Sequence, residues 1–318
     1  MFLRALSALA LALLSTAAAA QTYPAKPIRL VVPFPPGGTV DISARAISPA
    51  LVEVLGQNVI VDNRGGAQGL VGSALVAKSP PDGYTLLMGS NSSLTAAPAL
   101  SPGIAQYNSV RDFAAVSLVA ETPFVLVVHP SVPARNVKEF IGLAKSKPGA
   151  ITMASGGVSH LAGEHFQTLT GTKLTNVPYQ GAGPANIALM GGQVDCMFDQ
   201  LSGAIGSIKG GKTRALAVSF QKRAAAVPDV PTMREAGVAA FAVTSIVGVV
   251  APAATPRDVI NRLNAAIHKV LATPAMKERF ATLVLEPSPG TPEQFAAYIK
   301  EDLARWQKVV KDAGIKTE

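Results

Sequence analysis

Short runs of β-branched and aliphatic residues alternate with helix-length amphipathic stretches along nearly the whole chain, and this alternation most narrows the fold. Strand-like runs occur at Ile28–Val32, Val59–Asp62, Thr85–Met88, Val116–Val119, Phe124–Val128, Ile151–Ala154, Val194–Phe198, Leu216–Ser219 and Val243–Val250. Helices are expected between them. Asn136 with Glu139 and Thr291 with Gln294 have the spacing of a capping box, and Pro256 and Pro292 follow Thr255 and Thr291 as first-turn prolines do. Near the C-terminus Phe295, Ile299, Leu303, Trp306 and Val310 recur every three to four residues, which makes Trp306 a core residue rather than a ligand-stacking one. The expectation is an α/β fold with a mostly parallel sheet, whose ligands bind beyond the carboxyl ends of the strands.

The first twenty residues, MFLRALSALALALLSTAAAA, carry one early cation, a short apolar run and a string of alanines. This is the pattern of a secretory signal peptide (1–20), cleaved after about Ala20, and its apolar run is too short to span a bilayer. The remainder of the 318-residue chain is long for one core and comfortable for two domains. The formal charge of +8 falls by one when Arg4 is removed, leaving a modest positive excess that attracts anionic solutes. Lys and Arg are scattered singly, with no basic helix, which excludes a nucleic-acid surface. The uncharged window Ala236–Pro256 holds Gly237, Gly248, Pro252 and Pro256 around a β-branched cluster and reads as a buried strand with turns, not a membrane helix. Cys196, the sole cysteine, sits in an apolar run and reads as a small buried hydrophobe.

Catalytic and metal signatures are absent from the sequence. There is no G-x-S-x-G, H-E-x-x-H or C-x-x-C, and His129, His160, His165 and His268 are too dispersed for a metal site. Gly206–Thr213 (GSIKGGKT) fits the phosphate-loop expression, but a helix-like run precedes it and a strand-like run follows, the reverse of the order that expression requires. No cofactor is expected. What remains is a set of polar, glycine-rich junctions from strand to helix, led by Pro33–Asp41 (PFPPGGTVD). There a strand runs through prolines and a glycine pair into a helix, leaving backbone N–H groups open at the positive end of the helix dipole. Similar junctions lie at Gly89–Ser93, Ser155–His160, Pro178–Gly183 and Asp199–Gln200, and none offers a nucleophile with an obvious base. His160 with Asp199 is the one acid–base pair an enzyme could use.

Taken in order, YPAKPIRLVVPFPPGGTVD (Tyr23–Asp41), LGQNVIVDNRGGAQGLVG (Leu55–Gly72), PDGYTLLMGS (Pro81–Ser90), SGGVSHLAGEHF (Ser155–Phe166), NVPYQGAGPA (Asn176–Ala185) and GQVDCMFD (Gly192–Asp199) resemble the Bug family. KTRALAVS (Lys212–Ser219) and VPDVPTMREAG (Val227–Gly237) continue the match. These are the extracytoplasmic solute-binding proteins of tripartite tricarboxylate transporters. The resemblance implies a type II periplasmic binding fold: two α/β lobes, one of residues 21–122 plus 245–318 and one of 123–244, joined by crossovers near Glu121–Pro123 and Thr244–Ile246. It implies a periplasmic monomer that closes on a small carboxylate, a dicarboxylate or related acid, and passes it to membrane permease subunits. A sensor-coupled receptor is the alternative partner reading. By position, the family's ligand loops fall on Phe34, Pro36, Gly37 and Gly38; on Ser90 and Asn91; on Ser155, Gly156, Ser159 and His160; and on Tyr179, Gly181 and Asp199. Asp41 reads as a loop organiser, because a carboxylate facing a carboxylate ligand would repel it. Asp199 suits a ligand ammonium or hydroxyl, or a structural water. Ile246 replaces a common tryptophan and Gln180 a frequent cation, and SNSSLTAA is rich in hydroxyls.

Overall fold

The computed structural model describes residues 23–315 other than Gly157, Ala242 and Ala313, so the expected signal peptide lies outside the described residues. Among the described residues ten strands are formed: β1 (Ile28–Val32), β2 (Val59–Asn63), β3 (Thr85–Ser90), β4 (Phe113–Val128), β5 (Thr152–Ser155), β6 (Thr175–Pro178), β7 (Cys196–Gln200), β8 (Arg214–Val218), β9 (Thr244–Pro252) and β10 (Glu286–Pro287). The α-helices are α1 (Thr39–Leu55), α2 (Leu70–Ala77), α3 (Ala97–Leu100), α4 (Val137–Ser146), α5 (Val158–Thr170), α6 (Ala182–Met190), α7 (Leu201–Lys209), α8 (Arg257–Ala272), α9 (Pro274–Thr282) and α10 (Pro292–Asp312).

The sheet runs β2-β1-β3-β9-β4-β7-β5-β6, with β8 and β10 also paired to β4. Its flanks are parallel, β2-β1-β3 on one side and β7-β5-β6 on the other. Its middle is not: β3 with β9, β9 with β4, and β4 with β7 and β8 are antiparallel, which corrects the expectation of a mostly parallel sheet. The reason lies in β4. The runs Val116–Val119 and Phe124–Val128, read above as two strands, are one strand of 16 residues. Its first part, Phe113–Pro123, pairs with β9; its last part, Phe124–Val128, pairs with β7 and β8. A chain that leaves one half along β4 and returns along β9 must run antiparallel to itself. The pairing with β9 shifts register twice in the first part, at Ala115/Ser117 and Leu118/Ala120.

Alternation along the strands sorts the core into layers. Ile28, Leu30 and Val32 pack with apolar residues of α1 and α8, whereas Val31 and Leu87 pack with α2 and the start of α10. In the other half Phe124, Leu126 and Val128 join an aromatic cluster in which Phe198 lies 5.1 Å from Phe166 and 5.3 Å from Phe241, ring centre to ring centre. Val125 and Val127 face α6 and α7 on the opposite side. Trp306 is 2% exposed within the Phe124 cluster and donates through Nε1 to Asp302 Oδ2 at 3.0 Å. Helix α10 thus packs Phe295 and Ile299 into one half and Trp306 and Val310 into the other.

Local signals behave as their chemistry requires. Asn136 Oδ1 accepts the Glu139 amide at 2.9 Å, and Thr291 and Gln294 form a reciprocal capping box of 3.2 and 2.9 Å. The window Ala236–Pro256 contains β9, buried from Ser245 onward, and among the described residues no helix is long and apolar enough to cross a membrane. GSIKGGKT is the end of α7 followed by the turn into β8, the reverse of a phosphate loop.

Candidate functional site

Four helices begin around one small cavity between the two halves. It is lined by Gly38, Thr39 and Val40 at the start of α1, Gly156, Val158 and Ser159 at the start of α5, Gly181, Ala182 and Gly183 at the start of α6, and Gln200 just before α7. Phe34, Pro35, Gln68, Ser90, Ser92 and Tyr179 complete the wall. First-turn amides have no partner within their own helix, so each start presents N–H donors and a partial positive charge. Among the described lining residues there is no Lys, Arg or His and no acid. An anion held here is held by dipoles and hydroxyls, which stabilise charge without demanding a buried cation.

The loop from β1 to α1 is shaped from behind by Asp41. Gly37 takes φ +93°, a left-handed conformation open to glycine at no steric cost, and its N–H donates to Asp41 Oδ2 at 3.0 Å. Arg45 Nε (2.9 Å) and Asn63 Nδ2 (3.0 Å) donate to Oδ1, and Asn63 Nδ2 also holds the Phe34 carbonyl at 3.0 Å. Burial alone would push the Asp41 carboxyl up, but the bonds from Arg45, Gly37 and Asn63 outweigh it and hold the group below the usual carboxylate range. Its charge is spent on the loop, and it does not line the cavity. Asp41→Ala is expected to cost about 2 kcal/mol of stability by orphaning the Gly37 amide and loosening Arg45. Chemical denaturation measures it, and an unchanged midpoint would remove Asp41 from this role.

Of the residues expected at the ligand, the structure brings Phe34, Gly38, Ser90, Gly156, Ser159, Tyr179 and Gly181 to the cavity wall. The others are placed elsewhere, each with a physical reason. Pro36, Gly37 and Asp199 line an adjoining recess of about 360 Å³. Ser155 ends β5, where its carbonyl accepts the Tyr179 amide at 2.8 Å. Asn91 is fully buried: Nδ2 donates to Thr244 O (3.2 Å) and Tyr298 Oη (2.9 Å), and Oδ1 accepts from Ile246 N (2.7 Å). Both its polar ends therefore clamp β9 where the chain passes between halves. His160 pairs with Glu164 at 3.5 Å, one helical turn on, and its bond helps hold that carboxyl low.

Asp199 is buried and accepts Asn186 Nδ2 and the Gln200 amide, both at 2.8 Å. Burial dominates and pushes its carboxyl up to about 7, with the two hydrogen bonds pulling the other way. The pair His160 and Asp199 does not form, since each is bonded to its own neighbours. Among the described residues no cluster of His, Cys, Asp and Glu could hold a metal ion.

The halves touch directly. Thr39 Oγ1 and Ser202 Oγ share a buried hydrogen bond of 2.8 Å, and a Cβ on Gly183 would lie 3.2 Å from the Pro36 carbonyl oxygen. The cavity encloses about 40 Å³. Pro35, Thr39, Val40, Ser92, Val158, Ala182, Gly183 and Gln200 were not named as ligand contacts from sequence, although each lies within a junction that was singled out. Gln68 had only its flanking glycines to mark it.

Comparison with known proteins fits this geometry. Residues 43–315 match the family described as the tripartite tricarboxylate transporter family receptor. BugT of Bordetella pertussis is 38% identical over 301 residues, covering 93% of this chain and 92% of its own. A Rhodopseudomonas palustris protein solved with adipate superposes with a TM-score of 0.89 at 33% identity, over 93% of this chain and all (100%) of its own. The protein MatC from the same organism, solved with bound malate, gives 0.86 at 34% identity, over 91% of this chain and 100% of its own. With a family match over most of its length and these relatives beside it, the two-lobed α/β chain is a periplasmic binding protein by fold and belongs to the tripartite tricarboxylate transporter receptor family.

Proposed function

We propose that this chain captures a small carboxylate, dicarboxylates among them, between its lobes in the periplasm and delivers it to membrane permease subunits. One observation carries the reading: four helix N-termini from both halves meet at a cavity without charged side chains. That arrangement complements an anion and can be completed only when the halves are together. The relatives solved with adipate and malate support the ligand class. In this reading residues 21–122 plus 245–318 form lobe 1 and residues 123–244 lobe 2, with the last turns of α10 leaning on lobe 2. The chain acts as a monomer after loss of residues 1–20, and it binds without turnover. Phe34, Gly38, Ser90, Gly156, Ser159, Tyr179 and Gly181 touch the ligand. Pro36, Gly37, Ser155 and Asp41 shape the loops, Asn91 fixes the crossover, and His160 and Asp199 stand behind the wall.

A calorimetric and thermal-shift series of C4–C9 mono-, di- and tricarboxylates tests the reading. A ligand present at about one hundred times its Kd should stabilise the protein by about 2.7 kcal/mol. Absence of any shift across the series would overturn carboxylate capture.

A further inference from the structure

Two residues, Gln68 of the first half and Tyr179 of the second, line both the cavity at the helix starts and a second, larger recess beside it. The cavity at the helix starts offers about 40 Å³, about three water-sized positions and enough for a carboxylate group. The recess offers about 480 Å³. Its wall is built from Leu70, Ala97, Ile104 and Pro178, with Ser101 and Gln180 among its polar members, and among the described residues no charged one lines it. Ile104 is left 46% exposed at this wall.

The partition between the two spaces is held in an unusual backbone. Gly66, Ala67, Gln68 and Gly69 all have positive φ, at 143°, 44°, 57° and 98°. Glycine accepts such angles freely, whereas Ala and Gln each sit there at a cost of about 1–2 kcal/mol. Non-glycine residues kept in strained conformations concentrate at ligand clamps, where the surroundings over-determine them. At Gln68 the strain places an amide side chain at the boundary of both spaces.

We propose that the recess is a second subsite, which receives the uncharged alkyl or aryl body of a ligand whose carboxylate is held at the four helix starts. Gln68 and Tyr179 are the specificity-determining pair through which that body passes. This rests on carboxylate capture at the cavity of the helix starts. The chemistry follows from the walls: apolar surface gains from each methylene it covers, and an uncharged recess gives a second carboxylate no partner. The ligand class is therefore a monocarboxylate with an extended neutral body, favoured over a dicarboxylate of equal length.

Isothermal titration with butanoate, hexanoate, octanoate and octanedioate tests the proposal. Affinity should rise by about fourfold per buried methylene, and octanoate should bind more tightly than octanedioate. Ile104→Asp changes an exposed position and should leave the fold intact. It should weaken octanoate by at least about tenfold, since a charge enters the apolar wall, and butanoate by less than about twofold. Gln68→Gly, unstrained at φ +57°, should shrink the gain in affinity from butanoate to octanoate, because one of the two side chains that lead the body into the recess is lost. If butanoate binds but affinity does not grow with length, or if Ile104→Asp weakens both ligands equally, the second subsite is overturned and carboxylate capture stands. If no carboxylate binds at all, both fall.

Discussion

Gly38→Trp should lower carboxylate affinity by more than about a hundredfold, ~2.7 kcal/mol, and leave the thermal midpoint within about 3 °C of the parent. Gly38 has φ −83°, an angle any residue accepts, and a Cβ built there meets no atom within 4 Å. The backbone and Cβ of the new residue therefore meet no strain. The substitution does place an indole at the first turn of α1, on the wall of a cavity of about 40 Å³. The ring would compete with an anion for this space, next to Thr39, whose buried bond to Ser202 joins the halves. Gly37 is a poor choice for the same test, because its φ of +93° would charge any side chain with backbone strain. Titration with the best ligand from the carboxylate series, with solution scattering to read the separation of the lobes, measures both effects. Wild-type affinity in a folded Gly38→Trp protein would sink the assignment of this helix start as an anion site.

The second large effect is on stability against pH. Asp199 has its carboxyl raised to about 7 by burial, against about 3.9 for a free aspartate. A carboxyl raised on folding contributes stability that is fully present below about pH 4, where both states are protonated, and is lost as the pH rises through 7. The loss amounts to about 4 kcal/mol once the pH exceeds both values. Asp41 runs the other way: held below the usual range, it contributes stability above about pH 4 that disappears as the medium is acidified. Between pH 5 and 8, then, Asp199 governs the slope. Urea titrations at both pH values should show the parent losing stability toward pH 8, and Asp199→Asn losing much less. Equal slopes in the two proteins would show that Asp199 does not carry the effect.

Much of this architecture was legible in the sequence, and the parts that were not share a cause. Strand and helix positions follow from local patterning: β-branched runs for β1 and β3, capping boxes at Asn136 and Thr291, the apolar stripe of α10. The loop Phe34–Gly38 was legible because proline, glycine and a following aspartate carry their geometry with them. Non-local pairing was less accessible. Nothing in the local patterning of Phe113–Val128 announces that one strand will serve both halves. Asn91 and Ser90 are neighbours in a polar junction, yet one faces the cavity and the other is consumed by β9 and Tyr298, more than 150 positions away. Gln68 stands among glycines and looks like turn filler; only the second half, folded against it, makes it a wall.

The last helix has a consequence for how such proteins can be recombined. Since α10 anchors Phe295 and Ile299 on one side and Trp306 and Val310 on the other, and β4 belongs to both sides, neither half is a self-contained cassette. A chimera that exchanged only residues 123–244 with a relative would seat a foreign hydrophobic floor beneath the native Trp306. Exchange of ligand preference by lobe grafting therefore needs three cuts rather than two, with the final helix divided between donors after its second turn.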